Sequence, residues 1–205
     1  MKTITALFDD YADAAKAVRE LEAARFGSDD VSLMVSTYED AVGETVADDG
    51  ISAEGAGTGA GIGALLGGAG GLLAGLGALA IPGIGPVIAA GWLVTTAVGA
   101  VAGAAVGGAT GSVIGGLTSS GIHEQDAHVF AEGVRRGGSV VSVRTEENRE
   151  SEVQAIFAAS NQVDIAERRA RYEQEGWQYF DPDAAPFEPD EIRKRRGLDN
   201  QPGPV

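Results

Sequence analysis

The chain has 205 residues, with 15 Lys and Arg against 30 Asp and Glu and no cysteine. A net charge of −15 argues against a nucleic-acid partner, whose phosphates need clustered Lys and Arg. The missing thiols exclude disulfides and thiolate metal sites, and the length suits one good-sized domain or two small ones.

The opening "MKTITALFDDYADAAK" does not read as a signal peptide. Its apolar run is too short, and Asp9, Asp10 and Asp13 follow at once. The start of the chain is therefore expected in the cytosol. Residues 1–54 are mixed and acidic, 55–122 contain no Asp, Glu, Lys, Arg or His, and charge returns at His123.

The first zone, 1–54, predicts strand, helix, strand. "KTITALF" alternates, with Ile4, Ala6 and Phe8 on one face. Asp10 is a fair N-cap, with Asp13 near the positive end of the helix dipole. Tyr11, Ala14, Ala15, Val18 and Leu21 form an apolar stripe, and Gly27 is the expected C′ residue. "VSLMV" then places Val31, Leu33 and Val35 on one face of a second strand.

In the middle zone, 55–122, glycine recurs every fourth residue: Gly55, Gly59, Gly63, Gly67, Gly71 and Gly75, then Gly99, Gly103, Gly107, Gly111 and Gly115, with Gly91 in phase. Four-residue spacing is one slowly drifting stripe on a helix, and a stripe without side chains lets two backbones pack closely. Between the runs, Pro82 and Pro86 break any continuous helix, and Gly83 and Gly85 permit a tight reversal. The expectation is a glycine-zipper αα-hairpin, 57–80 out and 87–117 back. Each interior glycine costs about 0.8–1.0 kcal/mol against alanine, so such helices need contacts from lipid, from each other or from other copies. Each arm has about the 20 residues needed to cross hydrocarbon, yet the tip carries no charge. GxGxxG-like matches in these runs lack the strand and acidic residue of a dinucleotide site, and no GK[ST] occurs.

The third zone, 123–166, repeats the plan of the first. A helix over 123–136 buries Ala127, Phe130, Ala131 and Val134, and Gly137-Gly138 break it. A strand follows at 139–143, then a helix over 147–160 burying Val153, Ile156 and Phe157, then a short strand in "QVDIA" with Val163 and Ile165 inward. Without the middle, βαβ followed by βαβ makes a ferredoxin-like α+β sandwich, one antiparallel sheet with helices on one face. The glycine-zipper hairpin interrupts it, and the tail, 167–205, is expected to be irregular. Prolines 182, 186 and 189 prevent a long helix there, and Trp177, Tyr179, Phe180 and Phe187 suggest docking onto this domain or a neighbour's. The basic run 193–196 reads as a solvated tail.

No arrangement of these residues suggests catalysis or a cofactor. His123 and His128 are five apart, so a helix does not aim both at one metal, even with Glu124 and Asp126 nearby.

The order "ALFDDYADAAKAVRELEAARFGSDDVSLM", then "LGALAIPGIGPVIAAG", then "GIHEQDAHVFAEGVRRGGSVVSVRTEE" resembles the YflT-like general stress protein family of bacteria. The resemblance covers residues 1–166, and a "GW…FDP" element in the tail is similar to tails of some relatives. It implies stress-induced expression and a membrane-associated glycine-zipper hairpin, and it supplies no catalytic residues. The resulting expectation is a non-enzymatic stress protein that self-assembles and associates with the inner membrane. A soluble cytoplasmic homo-oligomer (ring, filament or shell, with hairpins buried between protomers) and a small-molecule sensor are the alternatives.

Overall fold

A computed structural model describes residues 1–36, 77–92 and 113–199. In chain order these form β1 (Lys2–Phe8), α1 (Tyr11–Ala23), β2 (Val31–Ser36), β3 (Gly77–Ile81), β4 (Gly85–Ala90), α2 (Val113–Ser119) and α3 (Glu124–Arg135). Then come β5 (Ser139–Thr145), a 3-10 turn (Glu147–Arg149), α4 (Glu150–Ala159), α5 (Ile165–Gln174) and α6 (Pro189–Asp199). The class is α+β. One sheet runs β1-β5-β2-β4-β3, and every neighbouring pair is antiparallel.

Strand parity builds two cores. Ala6 and Phe8 of β1, Val31, Leu33 and Val35 of β2, and Val141 and Val143 of β5 point to one face, where α1 and α4 supply Ala14, Val18, Leu21, Val153 and Phe157. The rings of Phe8 and Phe157 meet edge to face at 5.9 Å. Leu7, Met34 and Val140, one residue out of step, point to the other face with Val87 and Ala89, where Val113 and Leu117 of α2 and Ala127, Phe130, Ala131 and Val134 of α3 cover them. Helices therefore lie on both faces, which corrects the expectation of one. The physical reason is that β2 and β5 carry apolar residues at both parities, and an apolar row left in water costs about 25 cal/mol per Å².

The expected αα-hairpin is corrected as well. The chain reverses between Pro82 and Gly85 as the spacing predicts, but the flanks are strands. Ile81 accepts from the Ile84 N–H at 3.1 Å. Pro82 and Gly83 (φ +77°) between them follow the type II pattern of proline then a left-handed glycine. The resulting hairpin pairs with β2 through β4, Leu33 opposite Ala90 and Ser36 opposite Val87. Branched Ile81, Ile84, Val87 and Ile88 favour a pleated surface, and Leu79 and Val87 stand where the four-residue register would place glycine. At the exit of β4, Gly91 (φ +79°) lies so close to β2 that an added Cβ would stand 2.1 Å from the Val31 carbonyl oxygen. Gly115 sits in α2. Gly59, Gly63, Gly67, Gly71, Gly75, Gly99, Gly103, Gly107 and Gly111 lie outside the described residues.

The last predicted strand is the third correction. Val163 gives a single N–H to the Leu7 carbonyl of β1 at 2.8 Å. Asp164 then caps α5, its Oδ1 accepting from the N–H groups of Ala166 (2.8 Å) and Glu167 (3.0 Å). A strong N-cap directly before an Arg-rich helix ends the extended stretch after one bond. Among the described residues, the tail beyond it is helical at α5 and α6 and irregular between them.

Five helices end in one way, the Schellman motif. In α1 the Arg25 N–H bonds Glu22 O and the Phe26 N–H bonds Leu21 O. The same two bonds close α2 at Gly121 and Ile122, α3 at Gly137 and Gly138, α4 at Asn161 and Gln162, and α5 at Gly176 and Trp177. The C′ residue of α1 is thus Arg25, at φ +66°, and not Gly27.

Candidate functional site: a strap on the charge-free hairpin

Gly176 (φ +89°) turns the chain at the end of α5, and the next stretch, with prolines at 182 and 186 and a turn at Asp181–Ala184, forms no helix or strand until Pro189 opens α6. The segment 177–188 crosses the domain as a strap. Trp177 packs edge to face on Tyr172, 5.6 Å between ring centroids. Phe180 is 2 % exposed and joins the second core beside Ile84 and Phe130. Its N–H donates to Nδ1 of His128 at 3.2 Å, so His128 presents an acceptor there. Tyr179 is 63 % exposed, its ring edge to face with His128. Phe187 is flanked by two guanidinium groups, Arg135 at 4.1 Å and Arg195 at 4.2 Å from the ring centroid.

The strap lies directly on the hairpin turn. A Cβ added to Gly83 would stand 2.7 Å from Asp181 O, 2.8 Å from Pro182 Cα and 2.9 Å from Phe180 Cζ. The "IPGIGP" turn and the "FDP" of the tail therefore form one contact. Of the turn residues, Gly83 and Gly85 are buried while Pro82 and Pro86 are exposed. The four tail aromatics all touch this same domain.

Beneath the strap runs a chain of charge. Glu132, 1 % exposed on α3, accepts from Arg136 Nε at 2.9 Å and pairs with Arg135 at 3.4 Å. Arg136 donates onward to Glu175 Oε2 at 2.7 Å and lies over the Tyr172 ring at 3.9 Å. Arg168, 5.8 Å from the Tyr172 ring centroid, grips both carboxylate oxygens of Asp9, at 2.7 and 2.6 Å. Burial works against the charge of both arginines. The hydrogen bonds that Arg136 donates to Glu132 and Glu175, and Arg168 to Asp9, outweigh it together with the attraction of these carboxylates, and hold both groups above the ordinary guanidinium range. These side chains stay ionised and paired, so the arrangement fastens α3, α5 and β1 together.

His123 precedes α3 as its N-cap residue and is exposed, Asp126 pairs with Arg169, and His128 holds the strap. Among the described residues no three His, Asp or Glu side chains gather as metal ligands would. The Glu132–Arg136 pair had a sequence signal, the four-residue offset of opposite charges on one helix. Asp9–Arg168 had none, since 159 positions separate the partners.

The chain finds no significant match among family models, curated proteins or solved structures.

Proposed function

We propose that the protein is a non-enzymatic bacterial general stress protein that assembles with copies of itself through its two glycine registers. The stress setting rests on the resemblance to YflT-like proteins. Self-association rests on one observation: the four-residue glycine spacing is kept twice, over 55–75 and 99–115, in a stretch without a charge. Bare stripes of this kind serve backbone-to-backbone packing. The reading of the β1-β5-β2 trio as a ferredoxin-like core is supported by β5 lying between β1 and β2, which run parallel to each other.

The anchors of the two glycine-rich stretches bear on the membrane. Ser36 and Gly77 bound the first stretch and belong to β2 and β3 of one sheet, with β4 between them. Trp92 and Val113 bound the second, and both pack against the second core. A segment that crosses a bilayer once ends on the far side, and 93–112 has room for only one crossing of about 20 residues. The anchors thus favour a cytoplasmic assembly, or one lying on a membrane surface, over a spanning hairpin. No helix among the described residues is long and apolar enough to cross a membrane.

A size measurement without detergent tests the assembly, and flotation with anionic phospholipid vesicles separates its two forms. The expected result is a particle of many subunits. A monomer that stays out of the floated fraction overturns the reading. Replacing Gly67→Leu together with Gly107→Leu fills both stripes and is expected to shrink the particle; unchanged size means the stripes are not the packing surface.

A further inference from the structure

The sheet has two edges, and they are finished differently. The β1 edge starts at Lys2, whose ammonium pairs with Glu150 at 2.7 Å, and runs into Asp9 and Asp10. Its Leu7 carbonyl is taken by the Val163 N–H. Charges and a covering segment are the usual guards of a sheet edge. The β3 edge has neither: among the described residues nothing pairs with its outer side, and residues 77–92 contain no charge.

The direction of the β3 backbone follows from its turn. The Ile81 carbonyl faces β4, since it accepts the Ile84 N–H. In a strand the N–H and C=O of one residue share a side, and successive residues alternate. Gly77 and Leu79 therefore face β4 with Ile81, and Ala78 and Ala80 face outward. Pro86, opposite Ala80, agrees with this, because it has no N–H to give to β3.

We propose that this edge is an interface between two copies of the chain, β3 pairing antiparallel with β3 of the second copy about a twofold axis at Leu79. The pattern is self-complementary. With the axis there, Ala78 of each copy stands opposite Ala80 of the other, and each such pair exchanges both N–H···O=C bonds. Charge selects the occupant. Two copies at −15 each repel wherever acidic surfaces meet, but along 77–92 they meet without like charges. A basic peptide finds no carboxylate on this strand to draw it. The inference deepens the self-association reading, yet it uses backbone geometry and not the glycine registers, so the two can fail separately.

Because the chain has no cysteine, single cysteines in the full-length protein report the pairing. Leu79→Cys puts two thiols on the axis in a non-hydrogen-bonded pair, with Cα atoms about 4.5 Å apart. That lies within the roughly 4.4–6.8 Å that a disulfide bridges. Mild oxidation is expected to give a covalent dimer on a non-reducing gel, many times the level from Gln154→Cys, an exposed control on α4. Ala78→Cys alone is expected to stay at the control level, and mixing it with Ala80→Cys protein to produce the dimer. The mixture keeps the test valid if Leu79→Cys fails to fold. The same pattern in the Gly67→Leu/Gly107→Leu protein separates the edge from the registers. Equal dimer from every single cysteine, or none from either Leu79→Cys or the mixture, overturns the proposal.

Discussion

Arg25 and Asn161 end their helices in the left-handed backbone region, at φ +66° and +59°. For a residue with a Cβ that conformation costs about 1–2 kcal/mol, less for asparagine. Arg25→Gly is therefore expected to stabilise the fold by about 0.5–1 kcal/mol, and Asn161→Gly by less. Urea midpoints check both, and a loss of stability in Arg25→Gly contradicts the argument. Gly83 is the opposite case. Alanine there takes on the same backbone cost and also collides with the strap. Gly83→Ala is expected to loosen the strap by about 1–2 kcal/mol, roughly tenfold more exposure. Chymotrypsin cleavage at Trp177, Tyr179, Phe180 or Phe187 reads this out, and unchanged cleavage rules it out.

Among the elements, α3 carries the densest set of obligations. One side of it fills the second core, and Glu132 and Arg136 on it are almost wholly buried. Removing one member of a buried pair leaves a charge without its counterion, at a cost of about 3–5 kcal/mol. Arg136→Met is expected to fall in that range, since Arg135 reaches Glu132 only at 3.4 Å. Glu132→Met with Arg136→Met is expected to recover a large part of the loss, measured as thermal midpoints; equal losses in the single and double variants contradict the pair's role.

The elements whose apolar period matches their context were legible in the sequence. The predicted faces of β1, α1, β2 and α4 all lie in the first core. Three things were not legible. The second face of the sheet depends on Leu7, Met34 and Val140, single residues that alternation assigns to solvent. Strands β3 and β4 lie inside a stretch whose glycine spacing is helical, where pairing with β2 prevails over local pattern. The end of the chain turned on Asp164, whose capping bonds compete with strand pairing. Of the site, the aromatic residues and the turn stood out separately, but their contact did not, because about a hundred positions separate them.

On the scale of the whole molecule, the sheet is assembled out of chain order. β1 has one partner, β5, and the register runs from Lys2 opposite Thr145 to Phe8 opposite Ser139. β2 shares β5 as well, with Val31 opposite Val143. β5 is the keystone: without it, among the described residues β1 has no strand neighbour and β2 holds only the hairpin. During synthesis the first 138 residues, the glycine-rich stretches included, leave the ribosome before the strand that closes the sheet exists. Such long-range pairing is slow and leaves apolar strands uncovered meanwhile. Nascent chains of this protein should therefore depend on holding chaperones until residue 145 emerges, and a chain stopped at 138 should be captured by them while one stopped at 176 is released.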